Sequence, residues 1–112
     1  MNSTVYVFAS ESGRFNTAGA VQFGQVRHCN PEGSVSVFNT DAAMDFVDSR
    51  LESFDPDTDF IAMTGQNVVV SLAVGHVLAT FGRVRLLLFD ARSSKYVERT
   101  VHHSSHSADS ER

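Results

Sequence analysis

DFIAMTGQNVVVSLAVGHVLATFGRVRLLLFD, residues 59–90, is the stretch on which the fold turns. DFIAMT (59–64) is a short apolar run of strand length, closed by Thr64-Gly65. Residues 66–81 then run apolar on nearly every side. The valines there favour a strand, because β-branched side chains lose χ1 freedom in a helix. Length decides the matter, since sixteen residues is long for a strand and ordinary for a helix. Gly82 stands where a C′ glycine ends a helix. RVRLLLFD (83–90) begins in alternation and becomes continuously apolar, the pattern of a central strand covered on both faces. The stretch is therefore expected to form a right-handed parallel strand–helix–strand crossover. Burial of about ten apolar side chains of its helix, at roughly 1.5–3 kcal/mol each, is the largest expected stabilising term.

Moving toward the N-terminus, TVYVFAS (4–10) is β-branched and aromatic and reads as a first strand, and ESGRFNTAG (11–19) as a loop. AVQFGQVRHC (20–29) alternates loosely, with Gly24 suggesting a bulge. Asn30-Pro31-Glu32-Gly33 fits a type I turn, since proline presets φ and asparagine bonds its own downstream backbone. SVSVF (34–38) is then expected to return as the antiparallel partner of 20–29. Asn39 or Thr40 can cap a following helix, with Asp41 near its positive end. Met44, Val47, Leu51 and Phe54 recur at helical spacing, so this helix is amphipathic and is expected to end at Asp55-Pro56. On the C-terminal side ARSSK makes a turn, and YVERTV (96–101) alternates as an outer strand. Residues 102–112, HHSSHSADSER, have almost no apolar side chain and are expected to be a disordered His/Ser-rich tail. The whole reads as one α/β domain, bordering on α+β, over 1–101. Its mixed sheet has the order β-β-β-α-β-α-β-β, with the parallel crossover at 59–90.

Composition narrows the function classes. Of 112 residues 42% are apolar and 20% charged, which suits one globular core. The single cysteine, Cys29, excludes an intrachain disulfide and a four-cysteine zinc site, so a reducing compartment is expected. MNSTVYVFAS carries no basic segment ahead of an apolar one, and no signal peptide is read there. The longest apolar region, 68–81, is interrupted by Ser71 and His76 and is too short to span a bilayer. The cytoplasm, or a host's cytoplasm, is the expected location, with no membrane partner. A net charge of −4 argues against bulk affinity for nucleic acid. The charge is uneven, however. Residues 41–59 hold seven acids against Arg50, whereas 83–99 hold Arg83, Arg85, Arg92, Lys95 and Arg99 against Asp90 and Glu98.

Three groups of residues are candidate sites. Thr64, Gly65, Gln66 and Asn67 form the strand-to-helix turn, where a helix N-terminus offers free N–H groups to an anion. One glycine is far short of a dinucleotide or phosphate-loop fingerprint, and the same residues serve as an ordinary capped turn. Asp90 ends the strand beside it and can face the same crevice with Glu11, or simply initiate the ARSS turn. The basic residues Arg83, Arg85, Arg92, Lys95 and Arg99 can form a stripe that tracks phosphates, or can pair with the protein's own acids. Tyr96 is the aromatic that would accompany them at the surface. Asp55-x-Asp57-x-Asp59 resembles the start of a calcium loop, but Phe60 and Gln66 stand where that loop needs glycine and a bidentate glutamate. His102, His103 and His106 are imidazoles on a polar tail that can collect a transition metal adventitiously, and His76, inside an apolar helix, reads as a packed or rim histidine. No metal, cofactor, catalytic triad or carboxylate pair is assigned. The order of elements is similar to that of ribonuclease H-like folds, yet Val5, Tyr6, Val7 and Phe8 place no acid on the first strand.

DTDFIAMTGQNVVVSLAVGHVLATFGRVRLLLFDARSSKYVER (57–99) resembles small α/β proteins of bacteriophages and mobile elements. The shared pattern is an acidic strand start, Thr-Gly, an apolar helix, Gly, a Leu-rich strand ending in Asp, then Tyr-Val-x-Arg. The strand–Thr-Gly–helix element also resembles sensor domains that bind cyclic oligonucleotides, which carry a richer Gly/Thr turn. Three function classes follow as expectations. The first is a non-enzymatic accessory protein acting by protein contact. The second is a sensor of a nucleotide or other anion at 64–67. The third is a nucleic-acid module using the basic hairpin.

Overall fold

The structure, a computed structural model, describes residues 3–8, 18–29, 38–65 and 67–103. Its elements are β1 (Thr4–Phe8), a 3-10 helix (Ala18–Phe23), β2 (Gln25–His28), α1 (Thr40–Arg50), β3 (Phe60–Gly65), α2 (Asn67–Phe81), β4 (Arg83–Asp90) and β5 (Lys95–His102). They build one mixed sheet in the order β2-β1-β3-β4-β5. The first four strands are parallel, and β5 returns antiparallel beside β4. The crossover at 59–90 is present as expected: β3 and β4 are parallel neighbours, and Val68–Phe81 is α-helical. Gly82 takes φ 81° and its N–H donates to the Leu78 carbonyl at 2.9 Å, which closes α2.

The two faces of the sheet hold separate cores. Tyr6, Phe8, Ile61, Val84 and Leu86 face the α-helices and pack with Val47, Leu51 and Phe54 from α1 and its exit. Val69, Val70, Ala73 and Val77 complete this core from α2. On the other face Val5, Val7, Phe60, Ala62, Leu87 and Tyr96 pack with Ala20 of the 3-10 helix. Tyr96 is thus buried, where the sequence places it at the surface. The alternation that sends Leu87 and Tyr96 to the same side is the ordinary period of two.

Each helix differs in one respect from its expectation. α2 buries Val69, Val70, Ala73 and Val77 and leaves Val68 and Phe81 exposed, because it covers one sheet face and packs α1 on one flank. Small residues such as Ser71, Gly75 and Ala79 occupy its outer side, so apolar character there does not mean burial. α1 is capped by the Asn39 side chain, which accepts from the Ala42 N–H at 3.1 Å. It stops at Arg50, ahead of Asp55-Pro56, and Leu51 and Phe54 continue the apolar stripe through the turn. His76 Nε2 lies 3.3 Å from Asp48 Oδ1 and joins the two helices at their rim.

The N-terminal third shows the main departure. β2 pairs with β1 in parallel, Val5 beside Val26, a pairing that the reading of 20–29 as one arm of an antiparallel hairpin with 34–38 does not include. The turn 30–33 and most of the strand expected over 34–38 lie outside the described residues; Phe38 stands in a turn. Gly24 makes no bulge within a strand but joins the 3-10 helix to β2. A Cβ there would come within 2.5 Å of the Ser3 carbonyl oxygen, so backbone approach dictates glycine.

Candidate functional site at the carboxyl end of the sheet

The connections leave the sheet in two directions. From β1 the chain reaches β2 through the 3-10 helix, whose Ala20 packs on the Tyr96 face. From β3 it reaches β4 on the opposite side through α2, which packs on the Tyr6 face. β1 and β3 are neighbours, so their carboxyl ends flank a topological switch point, where open parallel sheets take ligands. The two ends meet at Phe8 and Gly65, which are paired in register. Just before them the register slips: β1 moves from Tyr6 to Phe8 while β3 moves from Ile61 to Gly65.

The sequence-derived residues distribute around this end as follows. Gly65 is the last residue of β3 and Asn67 the first of α2, so a single residue separates strand from helix. That residue, Gln66, lies outside the described residues, as does Glu11. Thr64 is buried on the Tyr96 face, and its hydroxyl lies beside the Tyr96 phenol. Burial raises the pKa of that phenol, and the nearby Thr64 hydroxyl partly offsets the rise. Asp90 is not brought to Thr64. Alternation from Leu87 sends Asp90 to the helix-covered side, and its Oδ1 accepts from the Arg92 N–H at 3.0 Å, which initiates the turn into β5.

The basic residues do not make one stripe. Arg83 and Arg85 project on the Tyr96 face, whereas Lys95 and Arg99 alternate to the other. Arg83 is paired with Asp57. Arg85 reaches Glu98 Oε2 through both Nε and Nη2, donates from Nη1 to the Asp57 carbonyl at 2.8 Å, and lies over the Phe60 ring at 4.1 Å. Arg99 donates to the Glu98 carbonyl, and Arg92 sits in the turn. Part of the charge asymmetry is therefore consumed inside the molecule, by the acidic loop 55–59. Among the described residues no group of three His, Cys, Asp or Glu side chains is placed to hold a metal. No described helix is long and apolar enough to cross a membrane.

Sequence reasoning missed an apolar row at the same end. Leu88 lies opposite Val97 in the β4–β5 register, and Met63 lies one step past the Ala62–Leu87 pair. All three point to the helix side, outside the cluster that α2 covers; Met63 and Leu88 are 38% and 39% exposed, and Val97 is half-buried. Val68, in the first turn of α2, is also exposed. A continuous apolar run such as LLLF reads as two-sided burial, but here the helix cover ends at Leu86. A cavity of about 260 Å³, lined by Thr4, Gln25, Val26 and Arg27, lies at the opposite, amino end of the sheet.

A mostly parallel sheet in the order 2-1-3-4-5 with a switch point between β1 and β3 defines a doubly wound α/β domain, with a hairpin strand added at one edge. Residues 3–103 match the model of the phage Pam3 gp32-like protein family, and the chain belongs to that family. The resemblance to bacteriophage proteins carried by 57–99 thus extends over most of the chain. No curated protein and no solved structure matches it.

Proposed function

We propose that this phage-family domain is a non-enzymatic accessory protein that works in the host cytoplasm by protein contact at the carboxyl end of its sheet. The observation that carries the reading is the row Met63, Leu88 and Val97, which spans three adjacent strands. Isolated exposed apolar side chains are normal on a folded domain, but a contiguous row beside a helix start favours a partner. The partner surface that fits it is apolar at its centre, with acids to meet Lys95 and Arg99 on the same side. The test is affinity capture from phage-infected host cells, with wild type and with Leu88→Asp and Met63→Asp as baits. A partner retained by wild type and lost by both variants supports the reading. No partner at moderate salt defeats it.

A second reading is supported by the switch point itself. A nucleotide or other anionic ligand at the ends of β1 and β3 would meet the backbone of Gly65 and the amino end of α2. Thermal-shift screening against nucleotides should then give a stabilisation that Gly65→Val removes. The nucleic-acid reading of the basic hairpin is the weaker one, because Arg83 and Arg85 already engage Asp57 and Glu98.

A further inference from the structure

We propose that β5 is an assembly edge, which pairs antiparallel with β5 of a second copy about a twofold axis at Thr100. Among the described residues the sheet ends in β5, an eight-residue strand twice the length of β2 at the other edge. It is paired with β4 in unbroken register from Lys95 to His102, without a bulge or proline to blunt the edge. The outward groups can be assigned. The His103 N–H donates to the Gly82 carbonyl at 2.8 Å, so the odd-numbered residues of β5 direct their backbone toward β4. Glu98, Thr100 and His102 then direct their N–H and C=O groups outward, in position to form a new ladder.

Charge favours a second copy as the occupant, and it discriminates among the registers centred between Val97 and Val101, where the strand overlap is longest. Twofold antiparallel pairing places opposed residues on the same face, so each register is centred on a single residue. Centring on Val97 opposes Lys95 to Arg99, centring on Glu98 opposes two glutamates, and centring on Arg99 opposes two arginines. A Val101 centre opposes Arg99 to His103. The Thr100 centre sets Glu98 of each copy opposite His102 of the other, lays the stem of Arg99 on Val101, and opposes no like charges. The groups around this contact are defined. Arg85 holds Glu98 through Oε2, and His102 lies opposite Arg83, which is itself paired with Asp57. Opposed acid and imidazole, repeated by symmetry, make the edge self-complementary.

Sedimentation equilibrium of the full chain tests the pairing. Wild type should be a concentration-dependent dimer. Thr100→Pro removes an outward N–H that β4 does not use, and should give a folded monomer. His102→Glu opposes two carboxylates twice and should weaken association roughly tenfold, whereas His102→Lys should retain it. Monomeric wild type at hundreds of micromolar overturns the proposal. So does a dimer indifferent to Thr100→Pro, and one indifferent to His102→Glu overturns the register. Should Thr100→Pro not fold, the surface variants His102→Glu and His102→Lys carry the test, and equal association of the two overturns it.

Discussion

Arg85 and Glu98 form a two-armed contact across the β4–β5 hairpin, with Nε and Nη2 at 3.1 and 3.0 Å from the same carboxylate oxygen. Both side chains are partly exposed, so the ion pair alone is worth about 0–1 kcal/mol. Arg85 does more than pair, since it also covers Phe60 and bonds the Asp57 carbonyl. Glu98→Gln should therefore cost less than about 1 kcal/mol in urea unfolding, and Arg85→Ala about 1–2 kcal/mol. Equal costs would mean that the stacking and the carbonyl bond contribute nothing.

Asp59 is a buried carboxylate with three donors. Oδ1 accepts from the Thr4 N–H at 3.0 Å and the Thr58 hydroxyl at 3.1 Å, and Oδ2 from the Asp55 N–H at 2.8 Å. It thereby fastens the start of β1 to the loop that leads into β3. Asp59→Ala strands two backbone donors and should destabilise by about 2–4 kcal/mol, read by chemical denaturation.

Two glycines should respond in opposite directions to alanine. At Gly24 the new Cβ would lie 2.5 Å from the Ser3 carbonyl oxygen, so the β1–β2 ladder must shift. A loss of roughly 1–3 kcal/mol is expected. At Gly75, on the outer side of α2, a Cβ meets nothing within 4 Å. Gly75→Ala should raise stability by about 0.5–1 kcal/mol through helix propensity. Thermal melts of the two variants check both signs.

Cys29 is buried, and desolvation pushes its thiol from 9.0 to about 11, against the pull of Arg27 and Arg50. The native state then holds its proton where the unfolded chain releases it. Stability should be intact below pH 9 and fall as pH rises toward 11. Cys29→Ala should flatten this part of the stability–pH curve at the expense of a small cavity. At neutral pH a thiol reagent should label the native protein only as fast as it opens. Rapid labelling of the folded state contradicts the burial.

The 59–90 crossover was legible because each boundary carries its own local signal: Thr64-Gly65 between strand and helix, Gly82 at the helix end, Asp90 at the turn. Asn39 and the Met44–Phe54 stripe mark α1 for the same reason. The partner of β2 was not legible. Gln25–His28 are compatible with either direction of pairing, and the close approach of Gly24 to Ser3, which is tertiary, belongs with the parallel one. At the candidate site, the Thr-Gly turn was visible as residue types and spacing. The separation of Asp90 from Thr64 was not, since it depends on which side of β4 faces the helices. The exposure of Leu88 was hidden likewise, because nothing in LLLF states where α2 stops covering it.

β1 lies inside the sheet rather than at its edge, although it comes first of the five strands in chain order. Its hydrogen-bonding neighbours are β2 on one side and β3 on the other, and β3 ends at Gly65. A nascent chain can pair Tyr6 with Arg27 early, but the β3 partners of Tyr6 and Phe8 are missing until Gly65 has left the ribosome. Completion of β1 docking is then a late event in vectorial folding, and nascent chains that end before β3 should depend on chaperones or remain open to protease.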